Sequence, residues 1–255
     1  KKENPHIIVT YKGDYQLSFL RKRMEDLGIR GIKTVFERHS YMMSSKVESY
    51  IHIDLFNFVS NLLFQQIASE VYTLAEASEE ILGKTKQELS YEEILSMAKN
   101  DPQKLCQFSL NNALLIEELS GKLLPQIFEM AKVSGQLPFD CSRLTYGLLV
   151  EWFLMRKASE MGIIQPNQPH WDEVQKRRMR RFKGGYVREP AQGFHENICV
   201  FDFRSLYPSV IVTFNISPEM LNCSCCSKKV PEFNYHFCRK RKGFVPLVLE
   251  EILKR

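Results

Sequence analysis

Apolar positions along the chain alternate between strand-like and helix-like spacing. Ile7-Ile8-Val9-Thr10-Tyr11 is a short unbroken apolar run of the kind that makes a buried strand. Gly13-Asp14 turns the chain. Leu17, Phe19, Leu20, Met24 and Leu27 then recur at helical spacing, and Gly28 suits the position just past a helix end. Tyr50–Phe56 alternates like a strand, and the periodic stretch after it stops at Leu82-Gly83 as a helix would. Tyr91–Ala98 and Phe108–Val133 read as two more helices. The second places Leu110, Leu114, Leu119, Leu123 and Ile127 on one side, and Pro125 predicts a kink or break in it. Asp140 or Ser142 can cap a further helix carrying Leu148, Leu149, Trp152 and Phe153. Pro166 and Pro169 mark a linker near residues 163–172. Ile198–Phe203 predicts another buried strand, with a helix starting near Pro208.

Composition narrows the class. Of 255 residues, 44% are apolar and 25% charged, which excludes a disordered tail, a collagenous chain and a coiled coil. The length suits one large domain or two modest ones. No internal repeat or low-complexity segment stands out. The longest apolar stretches, Ile51–Phe64 and Tyr146–Met155, are interrupted by Asp54 and Glu151, so no membrane span is expected. The chain begins with Lys rather than Met and lacks a signal-peptide core. It ends with Leu-Lys-Arg inside an apolar-periodic run, which suggests a piece of something longer. Seven cysteines without a secretory signal point to a reducing, cytoplasmic setting.

The net charge of +5 is mild but unevenly spread. Residues 176–183, KRRMRRFK, hold six basic residues in eight and lead into Gly184-Gly185. Such a run either coats a solvated helix face or contacts phosphate. Downstream, Asp202 lies near the end of the otherwise apolar stretch Ile198–Phe203. A carboxylate there either caps or pairs, with Arg204 the nearest cation, or it binds a hard metal such as Mg²⁺ beside substrate phosphates.

The octapeptide Asp202-Phe203-Arg204-Ser205-Leu206-Tyr207-Pro208-Ser209 resembles the first palm motif of B-family DNA polymerases, Asp-x-x-Ser-Leu-Tyr-Pro-Ser. Gly184-Gly185-Tyr186-Val187-Arg188-Glu189-Pro190 through Ile216-Ser217-Pro218 is similar to the archaeal members, as are Leu149–Leu154 and Gly243-Phe244-Val245-Pro246. In one register, the resemblance covers essentially the whole chain. It implies a mixed α/β (α+β) fold: the C-terminal part of an RNase H-like 3′–5′ exonuclease domain over residues 1–135, a helix and linker over 136–172, the first part of the palm over 173–240, and the start of the fingers helix over 241–255. It also implies a strand–turn–helix bearing a catalytic Asp202.

The resemblance further implies template-directed deoxynucleotidyl transfer with two Mg²⁺ ions. Asp202 would bridge the metals, the Phe203 carbonyl would add a ligand, and backbone N–H groups of Ser205, Leu206 and Tyr207 would hold the triphosphate. Tyr207 corresponds to the steric gate that excludes a ribose 2′-OH. Arg180, Arg181, Phe182, Lys183, Gly184 and Gly185 correspond to a DNA-contacting loop that has Tyr where this chain has Phe182. The implied partners are primer-template DNA, deoxynucleoside triphosphates, the remaining palm, fingers and thumb, and a sliding clamp. The implied location is the nucleoid of a prokaryotic cytoplasm. One palm carboxylate cannot hold two metals, so the isolated chain is expected not to polymerise.

The exonuclease half departs from the family pattern. Leu17 stands where a metal-binding Asp is expected and Lys12 where an Asn is. Phe108 replaces a water-orienting Tyr, and Asn112 replaces a second metal-binding Asp. Loss of proofreading is therefore expected. A non-catalytic DNA-binding or scaffold paralogue is the alternative reading. Finally, Cys223, Cys225, Cys226 and Cys238 cluster with His236. Cys223-x-x-Cys226 has zinc-knuckle spacing, with His236 or Cys238 to complete it. Free thiols remain open, and so does a disulfide, which the resemblance to thermophilic relatives implies.

Overall fold

A computed structural model of the chain, which describes residues 5–29, 34–39, 42–64, 72–180, 184–230 and 234–254, divides into two compact units between Arg156 and Lys157. The first is built around β1 (Ile7–Thr10), which pairs in parallel with β4 (Ile51–Asp54) in the register Ile7 to Ile51 and Thr10 to Asp54. Between them run α1 (Gly13–Asp26) and an antiparallel hairpin, β2 (Thr34–His39) with β3 (Met42–Val47). Gly28, at φ 64°, follows the last turn of α1 in the left-handed conformation that the sequence anticipates. Gly13 opens α1 because nothing larger fits: a Cβ there would lie 1.9 Å from Thr10 Oγ1.

The strand expected over Tyr50–Phe56 is cut short at Asp54. Asp54 Oδ1 accepts from the Phe56 N–H at 3.1 Å and caps α2 (Leu55–Leu62), so the alternating pattern ends in a helix start. After α3 (Leu74–Leu82) and α4 (Tyr91–Asn100), both opened by capping boxes, comes α5 (Pro102–Ser134). Helix α5 runs through Pro125 without a break. Its i−4 carbonyl belongs to Gly121, which has open space around it and is the residue best able to tolerate the proline ring. Only its second half carries the core. Leu119, Leu123 and Ile127 are buried with Ile53, Leu55, Phe58, Val59, Leu62 and Ala77, whereas Leu110 and Leu114 are about half exposed, because the strand layer ends before α5 does.

Neither Asp140 nor Ser142 caps the next helix. Asp140 lies in a single turn, α6 (Pro138–Cys141), and Ser142 Oγ donates to the Phe139 carbonyl at 2.8 Å. Helix α7 (Tyr146–Glu160) starts only after them and spans the division at Arg156. In the second unit, the segment from 163 to 170 is irregular, as its prolines predict. It is followed by α8 (Trp171–Met179), α9 (Leu206–Phe214) and α10 (Phe244–Leu253). Among the described residues, no helix is long and apolar enough to cross a membrane.

The strand expected at Ile198–Phe203 does not form. These residues are irregular and exposed, Val200 and Phe201 each at 91%. Their composition suits a strand buried on both faces, but no described segment lies alongside to complete a ladder. A lone strand leaves its backbone groups to water.

Candidate functional site

Asp202 lies next to the end of this uncovered segment and is exposed. Among the described residues it makes no ion pair, so the expected alternative of a pairing with Arg204 is not realised. The chain then turns through Ser205, at φ 54° and ψ 44°. This left-handed conformation is uncommon for a residue with a Cβ and is often found at functional sites. Helix α9 starts at Leu206, two residues before the expected Pro208 start, so Pro208 sits in its first turn.

The consequence is chemical. Ser209 N–H already bonds the Ser205 carbonyl at 2.9 Å, Pro208 has no N–H, and no side chain caps the end. The Leu206 and Tyr207 N–H groups are thus left at a positive helix terminus, an arrangement suited to phosphate oxygens. Tyr207 itself is 82% exposed, so its ring is not a core residue of the described structure.

Upstream, α8 ends in Lys176, Arg177 and Arg178, where cations complement the helix dipole. Arg177 pairs with Glu173 at 3.0 Å and Arg178 lies over the Trp171 ring. Arg180 closes the helix in extended conformation, and Gly184 and Gly185 are irregular, exposed and without close neighbours. Arg181, Phe182 and Lys183 lie outside the described residues.

The degenerate positions of the first unit lie on or at the start of two helices, α1 and α5. Leu17 is half-buried on α1. Phe108 lies half-buried on α5 with Lys86 Nζ over its ring at 5.2 Å. Asn112, also on α5, has a buried Oδ1 without a hydrogen-bond partner among the described residues. Lys12 takes a left-handed conformation at the start of α1, donates its N–H to Asp54 Oδ1 at 2.8 Å and holds its Nζ 4.9 Å from the centre of the Phe56 ring.

Sequence reasoning missed the polar centre of this unit. Asp14 is buried and fully engaged. Oδ1 accepts from Ser45 N–H at 2.8 Å and Arg143 Nη2 at 2.8 Å, while Oδ2 accepts from Asn57 Nδ2 at 2.7 Å and Arg143 Nε at 2.9 Å. Asp54 accepts a third backbone bond, from Asp14 N–H at 2.9 Å. Burial, then the negative charge of Asp14, push the Asp54 carboxyl up to about 6 against the opposing pull of its N–H bonds. Burial also lowers the His52 pKa. His52 bonds Thr10 Oγ1 at 2.8 Å through Nε2 and the Ser45 carbonyl at 2.7 Å through Nδ1. Nothing in local spacing links Asp14 to Arg143, 129 residues away.

The cysteines do converge, but not as the spacing suggests. Cys223, Cys225, Cys226 and Cys238 are free thiols whose sulfurs all lie within 4.8 Å of one another. Among the described residues they are the one group of three or more ligating side chains so arranged. Of the two residues expected to complete the site, Cys238 joins the group, while His236 places Nε2 3.0 Å from the Cys223 carbonyl and 3.6 Å from Cys223 Sγ. Cys225 takes the vertex. The backbone N–H groups of Arg241 and Lys240 lower Cys238 to about 6, whereas contact with Cys238 and Cys223 raises Cys225 to about 12.

The family model for DNA polymerase family B matches residues 144–254, the stretch that holds Asp202–Ser209. Over 99% of its length the chain is 37% identical to a DNA polymerase of Thermococcus litoralis, covering 15% of that protein. Over its full length it is 34% identical to one of Thermococcus gorgonarius, covering 34%. The family B DNA polymerase structure from Pyrobaculum calidifontis superposes with a TM-score of 0.73 at 27% identity, covering 98% of this chain and 34% of that one. The fold is that of a segment of a family B DNA polymerase, and the sequence is similar over its whole length to archaeal DNA polymerases. The chain spans about a third or less of the curated relatives it matches.

Proposed function

We propose that this chain is the middle portion of a DNA-directed DNA polymerase, in which Asp202 would hold Mg²⁺ and the bound metal would stabilise the charge that develops during nucleotidyl transfer. The carrying observation is the Asp202–Ser209 octapeptide within the matched region, its left-handed Ser205 leaving the Leu206 and Tyr207 N–H groups free at the start of α9. These donors take the triphosphate of the incoming deoxynucleotide. The Phe203 carbonyl is a further metal ligand, and the exposed ring of Tyr207 stands against a ribose 2′-OH. The exposed apolar run 198–203 becomes a palm strand once its ladder partner is supplied by polymerase segments that the relatives carry beyond the aligned stretch. Arg180 to Gly185 and the basic end of α8 contact the primer-template.

The exonuclease region is a scaffold in this reading. Leu17 and Asn112 supply no carboxylate. The acceptor sites of Asp14 are filled by four donors, and Asp54 is held by three backbone N–H groups. Asp14 has no acceptor site to spare, and Asp54 keeps only one, on Oδ2, too few for a divalent pair.

The test uses the complete polypeptide that contains this chain. It should extend a primed template with Mg²⁺ and deoxynucleotides and leave a 3′-labelled single strand undigested, while the 255-residue chain alone extends nothing. Digestion of the labelled strand would refute the exonuclease reading, and extension by the isolated chain would refute its dependence on the remaining palm.

A further inference from the structure

We propose that Cys223, Cys225, Cys226 and Cys238 form a tetrathiolate zinc site that staples the loop between α9 and α10. The sulfur positions match the geometry of the metal. Four thiolates around zinc at about 2.3 Å define a tetrahedron with edges of about 3.8 Å. Cys225 Sγ lies 3.6 Å from Cys223 Sγ, 3.9 Å from Cys226 Sγ and 3.5 Å from Cys238 Sγ, so three edges meet at one vertex. Thiols are weak hydrogen-bond partners and have little reason to converge four at a time without a metal.

The surroundings fit a closed, structural centre. The backbone N–H of Arg239 points to Cys226 Sγ at 3.5 Å, the outer contact that orients a ligating sulfur. A zinc tetrathiolate carries two net negative charges, and Lys228, Lys229, Arg239, Lys240, Arg241 and Lys242 flank the cluster in sequence. His236 Nε2 lies 3.0 Å from the Cys223 carbonyl and 3.6 Å from Cys223 Sγ, but it is not among the four groups whose ligand atoms all lie within 4.8 Å of one another.

The ligands also sit where a staple would act. Cys238 N–H bonds the Met220 carbonyl at 2.9 Å, and the Cys238 carbonyl accepts from Asn215 Nδ2 at 2.6 Å. Asn215 ends α9 in a left-handed conformation, and its Oδ1 accepts at 2.8 Å from the N–H of Gly243, the residue that opens α10. Metal binding therefore fixes the connection between the helix that carries Tyr207 and the helix after it. This stands independently of whether the complete protein polymerises.

The test is metal analysis of the 255-residue chain, purified under reducing conditions, stripped with chelator and reconstituted with Zn²⁺ or Co²⁺. About one zinc per chain is expected, and the Co²⁺ form should show the visible bands of a tetrahedral all-sulfur site. These measurements on the unmutated chain do not depend on any variant folding. Cys225→Ser should drop zinc occupancy at least tenfold, while His236→Ala and Cys106→Ser keep it. Two results would overturn the proposal: no zinc uptake by the reduced chain, or loss of zinc in His236→Ala with retention in Cys225→Ser.

Discussion

Replacing Arg143 with Met tests the polar centre of the first unit. The guanidinium makes two bonds to Asp14, at 2.8 and 2.9 Å, and its Nη1 donates to the Phe139 carbonyl at 2.8 Å. It also stacks 3.9 Å from the Phe139 ring centre. Both charges are almost wholly shielded from water, with 2% and 7% side-chain exposure. Met keeps most of the volume and removes the cation, so Asp14 is left charged and buried. Breaking a buried pair on one side costs about 3–5 kcal/mol. For a unit of this size that corresponds to a fall in Tm of roughly 6–20 °C, measurable by circular dichroism. Adding Asp14→Asn should restore part of the loss, since the unpaired charge is then gone. A deficit below about 1 kcal/mol, or a double variant no more stable than Arg143→Met alone, would refute the assignment of this pair as the organising contact.

Other consequences follow from the same structure. Asp54, raised from 3.8 to about 6, is more easily ionised when unfolded, so its contribution is greatest below pH 4 and is lost as pH rises through 6. Relative to Asp54→Asn, the unmutated chain should lose on the order of 3 kcal/mol across that window, and parallel pH profiles in urea titrations would contradict it. Because Tyr207 is exposed, Tyr207→Ala should leave the stability of the chain within about 0.5 kcal/mol. In the complete polymerase the same change should raise ribonucleotide incorporation roughly 10- to 200-fold, and unchanged discrimination would remove Tyr207 from the gate. Reversing Lys176, Arg177, Arg178 and Arg180 to Glu should lower DNA affinity and reduce the salt slope by about 0.7–0.9 for each phosphate no longer neutralised. A slope that stays fixed would return the run to a solvated helix face.

The helices were legible where local chemistry decides them. Gly28 and Gly83 end α1 and α3 as their positions predict, and the periodic leucines locate α5. Misreadings arose where a distant partner decides. The Ile198–Phe203 run has strand composition but depends on a neighbour to pair with, so in this chain it stays irregular. Leu110 and Leu114 share the periodicity of Leu119 but not its burial, because periodicity reports a face and not where the opposing layer stops. The Asp202 motif was readable because its residues are contiguous. The Asp14–Arg143 pair was not, since each residue alone looks like an ordinary surface charge. Cys225 was passed over because knuckle spacing favours Cys223 and Cys226, although the sulfurs converge on Cys225.

The central claim is that Asp202 is a metal ligand of template-directed synthesis. Primer extension by the complete polypeptide, compared between the unmutated form and Asp202→Asn at saturating Mg²⁺, addresses it directly. Changes in the contacts behind a metal ligand cost about 10–100-fold, so loss of the ligand itself should exceed about 100-fold. Primer-template affinity should be nearly unchanged, since the side chain is exposed and separate in sequence from the basic run. Extension by Asp202→Asn at the rate of the unmutated protein would contradict the account.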